Sequence, residues 1–94
     1  MALARVVSFD GVNSDRMAAR KSEIEGGEQP EGMNATEMLL LHDPSADQAL
    51  AIVFFDNEGD YQKGDEILSA MPTSDTPGQR TGVKKYDVAV QMKA

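Results

Sequence analysis

The apolar patterning of this chain predicts an α+β fold, a four-stranded antiparallel sheet with two helices on one face. Three observations lead there. Four stretches carry strand patterning and two carry helical spacing, in the order β-α-β-β-α-β. The densest apolar stretch, from Gly32 to Asn57, reads as a hairpin. Right-handed crossovers in this order then bring both helices to the same side of the sheet, the ferredoxin-like arrangement.

Residues 3–9, LARVVSF, form the first strand, closed by the turn signal Asp10–Gly11. Leu3, Arg5, Val7 and Phe9 share one face; Ala4, Val6 and Ser8 share the other. Asn13 or Ser14 caps a helix over 15–25 by accepting from the free N–H groups of its first turn. The apolar stripe of that helix, Met17, Ala18 and Ile24 with the stem of Lys21 alongside, is thin. Gly26–Gly27 ends it, glycine entering the left-handed cap without steric cost. Glu28–Gly32 is a loop into the hairpin.

Within the hairpin, Leu39 and Leu41 point one way, Met38 and Leu40 the other. On the return strand Ala51, Val53 and Phe55 oppose Leu50, Ile52 and Phe54. A half-solvated hairpin alternates apolar with polar; this one reads as covered on both faces. The pattern leaves open which face meets the helices. Asp43–Pro44 begins a connection over 43–48.

Asp56 is placed to cap a second helix over 57–71, whose stripe is Tyr61, Gly64, Ile67, Leu68 and Met71. Glycine inside a helix costs about 1 kcal/mol against alanine, so Gly64 predicts close backbone packing. Pro72 stops the helix, and 72–82 reads as a loop. The last strand, 83–92, sets Tyr86, Val88, Val90 and Met92 on one face against Lys85, Asp87, Ala89 and Gln91.

Ninety-four residues make a single domain, 1–94, able to bury only about two-thirds of its unfolded surface. The absence of cysteine excludes disulfides and thiolate metal sites. Helices cover one sheet face while the hairpin is apolar on both, so the other face needs a partner. A second copy of the same sheet is the simplest one, giving a homodimer through the sheet face and edge strands. A net charge of −7 argues against nucleic acid and anionic membranes, which need clustered Lys and Arg. No window approaches a membrane span and MALARVVSF lacks a signal-peptide pattern, so a cytoplasmic protein is expected.

Several residues invite a chemical reading beside a bland one. His42, the only histidine, suits general acid–base work near neutral pH. Beside Asp43 at a strand end it also reads as a solvated edge residue, with no nucleophile or second base recognisable nearby. Glu58, Asp60, Asp65 and Glu66 lack the spacing of a calcium loop and read as a solvated helix face, and one imidazole makes a poor transition-metal site, so no metal is expected. Tyr61 could orient an aromatic substrate, with Asn57 donating to a carbonyl or developing oxyanion. The alternatives are a core anchor and a helix-start residue. Arg5, on a central strand, either holds an anionic ligand or pairs with Asp87 or Asp56. The six methionines fit a permissive apolar lining or simple gap-filling.

The opening ARVVSFDGV, the Pro30–Gly32 lead-in, the ALAIVFFDNEGD junction and the closing KKYDVAV are similar to those of the dimeric α+β barrel proteins related to antibiotic-biosynthesis monooxygenases. The resemblance covers nearly the whole chain. It implies a homodimer whose two sheets form a barrel, with a pocket between sheet and helices for a small hydrophobic or aromatic ligand. Arg5, Phe55, Tyr61 and Tyr86 are then the ligand-binding candidates, and Asn57, Tyr61 and His42 the catalytic ones. The implied chemistry is a cofactor-free oxygenation or isomerisation, against binding without catalysis or a purely structural module. Active relatives commonly carry tryptophan where Phe55 stands. Haem-binding ones carry a histidine on the second helix, and 57–71 contains none, so no cofactor is expected.

Overall fold

Strand periodicity of two decides which side chains meet the helices. The structure, a computed structural model, describes residues 2–27, 32–70 and 78–92. Its elements are β1 (Leu3–Asp10), α1 (Ser14–Gly26), β2 (Glu37–Asp43), β3 (Gln48–Phe55), α2 (Glu58–Ser69) and β4 (Gln79–Asp87). The strands pair antiparallel in the order β2-β3-β1-β4, a ferredoxin-like α+β fold.

The two central strands settle which face the helices cover. Leu3 stands opposite Phe55, Arg5 opposite Val53 and Phe9 opposite Ala49, and all six are buried. Leu3, Val53 and Phe55 form one core cluster with Tyr61 of α2; Val7, Phe9 and Ala49 form a second with Val12. Met17 of α1 packs against the second cluster, so both helices lie on this side.

The helices dock unequally. α2 buries Tyr61 and Gly64, whereas α1 buries no residue, as its thin stripe predicts. Gly64 meets the expectation of close packing, since a Cβ there would fall inside the Phe55 ring. Only a residue without a side chain lets the helix axis approach that ring.

Local chemistry corrects three boundaries. The cap of α2 is Asn57, not Asp56: its side-chain oxygen accepts the Asp60 N–H at 2.8 Å. Gly27 ends α1 with φ −108° and ψ 171°, extended rather than left-handed. Glycine is needed there for space, because a Cβ would lie 2.9 Å from the Glu23 carbonyl oxygen.

The last strand is Gln79–Asp87 rather than 83–92. Its extent is set by its partner: Asp10 pairs Gln79 at one end and Leu3 pairs Asp87 at the other. Just past that end the Val88 N–H bonds to the Ala2 carbonyl at 2.9 Å. Residues 79–82 join the strand despite their loop-like composition, with a register shift between Ser8 and Phe9. The loop around Glu28–Pro30, the expected stop at Pro72 and the end of the α2 stripe at Met71 lie outside the described residues.

The hairpin connection is built by Asp43, whose Oδ1 accepts from the backbone N–H groups of Ser45 and Ala46 at 3.1 and 3.3 Å. Asp47 then takes the left-handed conformation, φ 52°. Its carbonyl accepts the N–H of the fully buried Val12 at 2.7 Å, tying the turn to the β1–α1 connection.

Candidate functional site

Under α2, an arginine in a central strand must find a counter-charge or never be buried. Arg5 is 4 % exposed; its Nε donates to Asp65 Oδ1 at 2.8 Å and its Nη2 to Ser69 Oγ at 3.3 Å. The partner is therefore Asp65 of α2, and neither Asp87 nor Asp56. Asp65 accordingly leaves the solvated carboxylate set in which its sequence position puts it.

Tyr61 packs edge-on against Phe55, with ring centroids 5.6 Å apart and planes at 75°. The Lys85 ammonium lies 5.0 Å from the Tyr61 ring centroid and also pairs with the Glu58 carboxylate. Burial pushes the Tyr61 phenol upward, and the negative charge of Asp65 adds to it. A phenol so placed stays protonated at neutral pH, a hydrogen-bond donor rather than a base. The bond from Lys85 holds Glu58 below the usual carboxylate range, and the same bond raises Lys85. Both groups face solvent, so the pair contributes little stability.

Asn57 spends its oxygen on the helix cap, and its Nδ2 donates to Asp60 Oδ2 at 3.1 Å. His42 stands on the helix-facing side of β2, opposite Ala49, with Nε2 2.9 Å from the Val12 carbonyl oxygen. A carbonyl can only accept, so Nε2 carries the proton. With its N–H on Asp47 and its carbonyl on His42, Val12 is clamped to the hairpin by both backbone groups. Tyr86 lies across the sheet, opposite Ala4 and half-exposed. The structure thus brings Arg5, Phe55 and Tyr61 together under α2 and leaves His42 and Tyr86 apart from them.

On the sheet's other face Ala4 is buried, and Gln91, beyond β4, donates to Glu37 Oε2 of β2 at 3.3 Å, but much of that face is apolar and open. Leu39, Leu41, Leu50 and Tyr86 are 38 to 49 % exposed there, beside Val6, Ile52 and Phe54. At its hairpin end this face sinks into a hollow of about 560 Å³, lined among others by Ser8, Asp10, Leu41, Asp43, Leu50 and Thr81. The dip has a local cause: Ser8 pairs with Gly82, so the middle of the sheet carries little side chain just where Leu41 and Leu50 stand up beside it. Thr81 sits in the register shift, a feature that re-aims side chains beside functional sites, and its hydroxyl donates to Ser8 Oγ at 3.0 Å. Gln48 Nε2 donates to Asp10 Oδ1 at 3.1 Å across the rim.

The resemblance places a pocket between sheet and helices, but at Phe55, Tyr61 and Gly64 that interior is filled, and the hollow opens on the opposite face. Of the six candidates read from sequence, its lining includes His42 alone. Of Ser8, Asp10, Gln48 and Thr81, Ser8 alone carried a readable signal, a hydroxyl in a stretch, LARVVSF, that is apolar apart from it and Arg5.

Among the described residues, no three His, Asp or Glu side chains gather as a metal site, and no helix is long and apolar enough to cross a membrane. No protein-family model matches the chain, and no curated protein sequence matches it.

Proposed function

We propose that this chain is a homodimeric small-ligand-binding domain of the monooxygenase-like barrel type. A second copy covers the open sheet face, and the hollow beneath it holds a small hydrophobic or aromatic molecule. The observation that carries the reading is the apolar face itself, with Leu39, Leu41 and Leu50 bare and contiguous with a ligand-sized hollow. The placement of both helices on one side adds support, since it leaves much of the other face open to a second sheet.

Catalysis has less behind it. The oxygenase alternative draws on Asn57 as a donor, and Asn57 is committed to capping α2. The packed interior at Phe55 and Tyr61 favours the other alternative, an interaction module without ligand.

Light scattering on Leu41→Glu/Leu50→Glu, with a titration of small aromatics followed by amide shifts, separates the readings. The proposal expects the substituted chain to be a folded monomer and the unsubstituted dimer to show ligand shifts at Ser8, Leu50 and Thr81. A dimer with no ligand shifts leaves the interaction module standing, and an unsubstituted monomer removes the homodimer.

A further inference from the structure

Resting on the ligand-binding reading above, we infer that the hollow selects a small organic cation, a primary ammonium carried on a compact apolar body. The apolar wall and the rim of the hollow differ in chemistry. Leu41 and Leu50 offer apolar area, while Asp10 and Asp43 offer carboxylates. Among the described residues neither carboxylate takes part in an ion pair, although Arg5, Arg20, Lys21 and Lys85 all do.

The polar neighbours of these two acids are neutral. Asp10 accepts from the Gln48 amide and Asp43 from the N–H groups of its turn. Such donors orient a carboxylate and leave its charge uncompensated. Among the described residues no Lys or Arg lines the hollow, and the chain as a whole carries −7. An anion entering here meets repulsion from both acids, and a neutral aromatic gains only the apolar wall. An ammonium gains that wall and a charge-assisted hydrogen bond, stronger than a neutral one.

Covering by a second copy sharpens the preference. Removing water from above the hollow lowers the local dielectric and strengthens attraction between a bound cation and the two acids. The hydroxyls of Ser8 and Thr81, which also line the hollow, supply further acceptors. The volume of about 560 Å³ lies in the range of small-molecule sites.

The test uses three probes of one shape on the full chain: phenethylammonium, 2-phenylethanol and phenylacetate. Amide shifts of Ser8, Gln48 and Thr81 report occupancy. Phenethylammonium is expected to bind about tenfold or more tightly than the alcohol, and phenylacetate more weakly than either. In Asp10→Asn/Asp43→Asn the side-chain oxygens still accept from Gln48 and the turn, so the fold is kept and the preference for the cation is lost. Raising salt from about 20 mM to about 300 mM should narrow the same preference in the unsubstituted chain, a reading that needs no variant. The inference is overturned if the alcohol or phenylacetate binds as tightly as the ammonium, or if neither salt nor the double substitution changes the preference. Those outcomes leave the ligand-binding reading intact. Silence from all three probes sinks that reading, and this inference with it.

Discussion

The two faces of this sheet are made of similar side chains and have different fates. On β3, Val53 and Phe55 point toward the helices and are 4 % and 0 % exposed, while Leu50, pointing the other way, is 38 % exposed. Hydrophobicity does not separate them; cover does. Over the central strands the helix-facing side is closed by Tyr61, by the approach of Gly64 to Phe55 and by the Arg5–Asp65 pair, while Met38 and Val83 on the outer strands stay exposed. The other side carries Leu39, Leu41, Leu50, Ile52 and Phe54 on β2 and β3 without a second layer over them. A chain of this size gains stability from each buried side chain, and an apolar face left in water is unused stabilisation that a partner can claim.

The largest expected effect tests that contrast directly. Phe55→Ala removes a fully buried ring and should cost about 3–5 kcal/mol, a large share of a small domain's stability. Leu50→Ala, measured in urea under conditions where the chain is monomeric, should cost less than about 1 kcal/mol. At concentrations that favour the dimer the same substitution should cost more. Equal losses at all concentrations would erase the distinction between the faces.

Gly64→Ala sets helix propensity, which favours alanine by about 1 kcal/mol, against a Cβ that collides with Phe55. Collision should win, with a net loss of about 1–3 kcal/mol in chemical denaturation. A gain in stability would show α2 free to move off the sheet.

Asp65→Ala leaves Arg5 buried without its counter-ion. Breaking a wholly buried pair costs about 3–5 kcal/mol, but the Asp65 side chain is 43 % exposed and water can screen the arginine, so about 1–3 kcal/mol is expected. An Arg5→Met/Asp65→Leu double variant should recover much of that loss, because apolar replacements leave no charge stranded.

The smallest effect belongs to Glu58 and Lys85. Glu58 is lowered by its bond from Lys85, so its contribution is present above the unfolded carboxylate value of about 4.3. That contribution disappears as pH falls through the lower folded value. Lys85 is raised by the same bond, so its share is present below about 10.4 and is lost as pH climbs through the higher folded value. Glu58→Gln should flatten the acid limb of a stability–pH curve by lowering its neutral plateau slightly, leaving the acid end unmoved.

Much of the fold was legible because its signals are local. The β2–β3 hairpin, the thin stripe of α1 and the crowded glycine of α2 each follow from spacing within one segment. What stayed hidden depends on pairings between distant segments. Arg5 and Asp65 meet across 60 residues, and Thr81 meets Ser8 across 73. The register shift that creates the hollow arises only when β4 is laid against β1, and no pattern inside 79–82 announces it. Tyr61 and Asn57 were legible as important residues, and the structure gives them packing and capping work.

The mass of the chain in solution tests the central claim most directly. Multi-angle light scattering at micromolar concentration should return twice the 10.2 kDa of one chain, falling to one chain's mass with Leu41→Glu/Leu50→Glu. A single-chain mass for the unsubstituted protein across that concentration range would mean that the bare face has no second copy against it.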